Sequence, residues 1–168
     1  MTNPFDAGSS DSKTFGNVHT LRDTFKADAV MLIVNKPLTV GGLANRYLGF
    51  ASEAFAVITE QGLTNTRGYI FAHELGHVMG SEHDTETGGA FKYSRGMRGQ
   101  GPGSNCRVWG TIMAQPVCAL HCDALRLWSN PLKHEGCGQP IGMVDSNDNA
   151  RSLNATRAEV AKFSCALR

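Results

Sequence analysis

A chain of 168 residues, 41% hydrophobic and 18% charged, is long enough for one domain with a real core. Its formal charge of +1, with the lysines and arginines scattered, offers nothing with which to hold a nucleic acid or an anionic membrane. The longest apolar run, Ala29 to Val34, is far too short to span a bilayer, and the opening MTNPFDAGSSDSK lacks the apolar centre of an export signal.

Residues 1–14 read as a disordered segment. Phe15, Val18, Leu21 and Phe25 then recur at helical spacing and predict an amphipathic helix near 13–26. DAVMLIVN reads as a buried strand, LTVGGLANRY and AFAVITE as two more, and NTRGYIFAHELGHVMG as a second helix. Gly88, Gly89, Gly96, Gly99, Gly101 and Gly103 predict a long loop from Asp84 to Asn105, with Lys92, Arg95 and Arg98 as its solvated rim. LNATRAEVAKF, with Leu153, Ala158, Val160 and Phe163 and with Asn154 as its cap, predicts a closing helix, which also explains the glycosylation-like triplet Asn154-Ala-Thr156. The expected fold class is therefore α/β of the α+β type. A small, twisted, mostly parallel sheet with two helices fills 15–80, and a loop-rich lower part ending in a helix fills 81–168.

The stretch HELGHVMGSEHD, His73 to Asp84, carries the chemistry. Positions four apart share one face of a helix, so the imidazoles of His73 and His77 converge on one point and supply two ligands for a zinc ion. A third ligand requires the helix to end, and Gly80 is the residue able to end it and return His83 beneath the metal. Glu74 lies on the flank of the ligand face, where a carboxylate can take a proton from a metal-bound water. In a chain of this composition the pattern HExxHxxGxxH arises by chance with a probability on the order of 10⁻⁵ to 10⁻⁴.

Two other groups of residues invite a ligand. Cys106, Cys118, Cys122, Cys137 and Cys165 all follow the histidine motif, which suggests disulfides bracing the lower part and hence an oxidising, extracellular setting. The odd count leaves one thiol over. A second zinc site in CALHC, on Cys118, His121 and Cys122, is the lesser reading, because the paired CxxC spacing is missing. In DSNDN, Asp145, Asn147, Asp148 and Asn149 put oxygens at calcium-like spacing. Ala150 stands where an EF-hand needs glycine and Thr156 where it needs glutamate, so a capped turn is preferred over calcium.

HELGHVMGSEHD together with TIMAQP resembles the metzincin superfamily of zinc endopeptidases. Asp84 after the third histidine, and SNP followed by DNARSLNATRAEVAKF, resemble its reprolysin-like (adamalysin-type) branch, especially bacterial members. The resemblance implies a metzincin-like fold with helices above a zinc cleft, one catalytic zinc on His73, His77 and His83, Glu74 as general base, and Met113 as the methionine of the turn under the metal. Gln115 stands where some branches carry a further tyrosine ligand, which argues against an astacin-like site. Measured against the family, the strand, long helix and second strand that usually come before the helix near 13–26 are missing, and uncovered sheet surface of that kind would favour self-association.

The function expected is hydrolysis of peptide bonds in protein substrates by a secreted enzyme. Substrate is expected to lie along an edge strand at Gly41, Gly42 and Leu43, with Trp128 in the wall of a side-chain pocket. The alternatives are a catalytically impaired zinc-stabilised binding or adhesion module, and a zinc amidase or deacetylase.

Overall fold

The computed structural model describes residues 17–36, 39–47, 49–65, 69–86, 89–100, 107–115, 122–135 and 137–164. The segment expected to be disordered, most of the CALHC run and the positions of Cys106, Cys118 and Cys165 lie outside these residues. For Asn65 and Cys122 only the backbone is described.

Helix α1 (Asn17–Phe25) leads into strand β1 (Val30–Val34), followed by β2 (Gly42–Ala44), a 3₁₀ turn at Ala51–Glu53, β3 (Phe55–Thr59), a short helix α2 (Glu60–Asn65) and helix α3 (Ile70–Val78). The three strands form one sheet in the order β1-β3-β2, with β1 parallel and β2 antiparallel to β3. Strand β3 is buried throughout, as a central strand covered on both faces must be. Its alternating side chains sort into two cores. Phe55 and Val57 meet Val18, Val30, Leu32 and Val34, whereas Ala54, just before the strand, and Ala56 meet Val78, Val160 and Phe163.

Below α3 a second sheet is built from β4 (Arg98–Gln100), β5 (Val108–Gly110) and β6 (Cys122–Ala124), antiparallel between β4 and β5 and parallel between β5 and β6. Helix α4 (Asn149–Val160) closes the chain.

Several expectations are corrected. Each sheet is mixed, with one parallel and one antiparallel pair, because β2 returns beside β3 without a crossover. Strand β4 falls inside the glycine-rich stretch expected to be loop. Gly99 belongs there because a Cβ would stand 2.5 Å from the buried Trp109 ring. Helix α1 does not seat through Leu21 and Phe25, which are exposed. Its buried residue is Arg22, whose guanidinium lies 5.2 Å from the Phe55 ring centroid and donates to the Ala51 carbonyl. The final helix begins five residues before Asn154, capped by Asp148, whose side chain accepts from the Arg151 amide at 3.0 Å.

Three of the DSNDN side chains use their oxygens within the fold. Oδ1 of Asp148 caps α4, Oδ1 of Asn147 accepts from the Ser146 hydroxyl at 2.6 Å, and Oδ1 of buried Asn149 accepts from the Ser129 hydroxyl at 2.9 Å. Of the expected basic rim, Lys92 is exposed, Arg95 donates to the Ser146 carbonyl, and Arg98 is tied to Asp84. No helix among the described residues is long and apolar enough to cross a membrane.

Candidate metal centre

Helix α3 carries His73, Glu74 and His77 and ends at Val78. Gly80 follows with φ of +88°, a left-handed conformation that glycine takes without strain. The Ser81 amide donates to the Gly76 carbonyl at 2.8 Å and the Gly80 amide to that of His77 at 3.0 Å. This pair of bonds is a Schellman close. It turns the chain back under the helix, and a β-bridge between Glu82 and Arg95 anchors the returning segment.

The turn delivers His83 to the other two histidines. Its Nε2 lies 3.1 Å from Nε2 of His73 and 3.0 Å from Nε2 of His77. Among the described residues these three are the group able to hold a metal ion. The remaining ring nitrogens of the helical pair are fixed by backbone. Nδ1 of His73 donates to the Ile112 carbonyl at 2.7 Å and Nδ1 of His77 to the Ser81 carbonyl at 3.0 Å, which leaves both Nε2 lone pairs facing the centre. Burial holds His73 down to about 4 and His77 to about 2, and lowers His83 as well. All three are neutral at pH 7, the protonation state that ligation requires.

Glu74 is 4% exposed and lines the cleft beside the histidines. Burial pushes its carboxyl up to about 8. The cleft, about 450 Å³, is bounded on one side by Gly41, Gly42 and Leu43 and on the other by His83 and Gln115. Strand β2 is an edge strand, so its far side faces this space.

Met113 is fully buried under α3, and Gly76 is bare because a Cβ there would meet the Met113 Sδ at 3.1 Å and the Trp128 ring at 2.8 Å. Trp128 therefore packs against the active-site helix and is not among the residues lining the cleft. Asp84 binds Arg98 through Oδ2 and the Gln115 amide through Oδ1 at 2.7 Å, and Arg98 also donates to the Gln115 carbonyl. The segment after the third histidine is thereby joined to the segment after Met113.

The sequence profile of metallo-peptidase family M12 (Reprolysin_5) matches residues 3–126, a span that holds the site from Gly41 to Gln115. The chain belongs to that family. It is 36% identical over 151 residues to the peptidyl-Asp metalloendopeptidase of Stenotrophomonas maltophilia (strain R551-3), covering 88% of this chain and 34% of that protein. The enzyme of the same name from Xanthomonas campestris pv. campestris is 35% identical, with 88% and 33% covered. That from Pseudomonas fragi is 37% identical over 98 residues, 56% of this chain and 58% of that protein. The chain thus spans about a third of the length of the first two relatives. A solved structure described as "Structure of a chaperone-substrate complex" contains a chain that superposes with a TM-score of 0.67 at 20% identity, covering 89% of this chain and 24% of the other. That likeness is one of fold.

Parts of the M12 site escape sequence reasoning. The carbonyls of Ile112 and Ser81 leave no trace in residue identity. Glu86 does leave a signal, as a carboxylate three residues past His83, whereas Arg46 reaches the cleft from the loop after β2 and leaves none.

Proposed function

We propose that this chain is the catalytic part of a secreted zinc endopeptidase that cleaves protein substrates, with His73, His77 and His83 as zinc ligands and Glu74 as general base. The observation that carries the reading is the convergence of three neutral Nε2 atoms beside a buried carboxylate at an edge strand. Tetrahedral ligands about 2.0–2.1 Å from zinc lie about 3.3 Å apart, within a few tenths of an ångström of the spacing here.

Zinc at this position supplies a Lewis acid for the scissile carbonyl and a bound water with a pKa of about 7. The chain does the rest. Gly41, Gly42 and Leu43 present backbone to an extended peptide added to β2. A cation held by the three histidines would favour the ionised form of Glu74, opposing the burial that raises it, and the carboxylate then takes the attacking water's proton and delivers it to the leaving amine nitrogen. Met113 and Trp128 support α3 from below and keep His73 and His77 in place.

The names of the relatives support a finer reading, selectivity for aspartyl residues in the substrate. Secretion is supported by the clustering of all five cysteines after the histidine motif, a pattern that suits disulfides in an oxidising compartment. The test uses paired peptides that differ only by Asp or Asn. Zinc-dependent cleavage of the Asp peptide, lost with a chelator and restored by zinc, is expected. Equal cleavage of both would remove the selectivity, and zinc uptake without cleavage of either would favour a binding module.

A further inference from the structure

The three histidines are not supported alike. His73 and His77 donate Nδ1–H to backbone carbonyls at 2.7 and 3.0 Å. His83 stands on the segment beyond the helix, and its Nδ1 faces Oε1 of Glu86 at 3.6 Å. Glu86 is itself held. Its Oε2 lies 2.9 Å from Nη2 of Arg46, and Nε of the same guanidinium is 3.5 Å from Oε2 of buried Glu82. Arg46 follows β2 and lines the cleft. A chain of polar groups therefore runs from the loop after the edge strand to the third histidine.

Resting on the zinc reading above, we propose that Glu86, clamped by Arg46, is the positioning residue for His83, accepting its Nδ1–H and so aiming Nε2 at the metal. The contact at 3.6 Å is longer than a hydrogen bond. Glu86 is half-exposed, so a small rotation of its side chain closes that gap, and the attraction to Arg46 limits how far it can swing away. A carboxylate in this place does what the two carbonyls do for the other ligands and adds negative charge, which raises the basicity of the ring toward a cation. Glu82 serves as the anchor. It is buried beside the bridge to Arg95, and its carboxylate attracts the Nε end of the half-exposed guanidinium, which restrains Arg46 on the side away from Glu86.

The experiment compares the wild type with Glu86→Ala, Glu86→Gln and Arg46→Gln. Zinc dissociation constants are read by chelator competition, and the His83 ring tautomer is read by two-bond ¹H–¹⁵N NMR on the metal-free protein. Glu86→Ala should weaken zinc binding about 10- to 100-fold and shift His83 away from the Nδ1–H form, leaving the His73 and His77 signals in place. Glu86→Gln, whose amide oxygen still accepts, should recover most of the affinity, and Arg46→Gln should fall between the two. Denaturant unfolding monitors folding throughout. Unchanged zinc affinity and unchanged His83 signals in Glu86→Ala would overturn the proposal, as would a loss of stability with neither readout moved. A wild type that takes up no zinc would overturn the reading beneath it, and the tautomer measurement would still report on the Glu86 contact.

Discussion

The Cβ that Gly42 lacks would stand 2.5 Å from Oε1 of Glu74 and 2.8 Å from its Cδ and Cγ. Gly42 is not among the glycines with positive φ, so backbone freedom is not why it is there. The edge strand is bare at this point because the carboxylate of α3 occupies the space. Any side chain at 42 pushes the base off its position. Gly42→Ala should keep zinc and fold and lower kcat about 10- to 100-fold, the cost of a displacement near 1 Å in a catalytic group. Metal content by atomic absorption, with steady-state kinetics on one peptide, checks this.

The close of α3 is the second point of leverage. Gly80→Ala places a Cβ on a backbone at φ +88°, which costs about 1–2 kcal/mol and loosens the return of His83. Thr156 of α4 is buried and donates its hydroxyl to the Met79 carbonyl at 2.7 Å, satisfying the end of the metal-site helix. Thr156→Val keeps the shape and strands that carbonyl, a loss of about 1–2 kcal/mol. Urea unfolding should show both losses as a lower midpoint at an unchanged slope. Zinc affinity should fall more in Gly80→Ala, since only that change acts on the turn itself.

The metal-free protein should be squeezed from both sides of pH 6. Its Glu74 is raised from 4.5 to about 8 by burial, so between those values the unfolded chain gives up a proton that the fold retains. Stability therefore falls as pH rises from about 4.5 to about 8. The histidines are lowered from 6.5, with His73 at about 4 and His77 at about 2, so the unfolded chain takes up protons that the fold refuses. Stability falls again as pH drops below about 6.5, through the His73 value near 4 and on toward 2 for His77. Thermal melts with EDTA should show Glu74→Gln melting above wild type at pH 8, with the gap closing by about pH 4.5. A gap that is constant with pH would mean that the buried carboxyl is not the source.

What was legible in the sequence is what local chemistry imposes. The i, i+4 histidines, the glycine that ends their helix and the third histidine beyond it need only helix geometry and a left-handed turn. The core strand FAVIT, apolar in its first four positions, could hardly be anything but central. Long-range partners decided the rest. Nothing in NVHTLRDTF says that Arg22, and not Phe25, will be buried, because the deciding partners are the Phe55 ring and the Ala51 carbonyl. Strand β4 is three residues with two polar side chains, too short for any periodicity, and it exists because β5 offers it a ladder. The start of α4 is not legible in sequence because two cap-forming residues, Asp148 and Asn154, compete. Only the bonds of Asn149 to Ser129 and Ser94 select the earlier one.

In the proposed mechanism the histidines hold the metal while Glu74 moves the proton, and one pair of variants separates these jobs. Zinc stoichiometry and peptide hydrolysis are to be measured together on Glu74→Gln and His83→Ala. Glu74→Gln should retain about one zinc per chain while hydrolysis falls by a factor on the order of 10² to 10⁴. His83→Ala should lose zinc affinity and thermal stability together, with activity returning only in part at high zinc. Loss of zinc from Glu74→Gln as readily as from His83→Ala, or full activity in Glu74→Gln with zinc bound, would contradict the account.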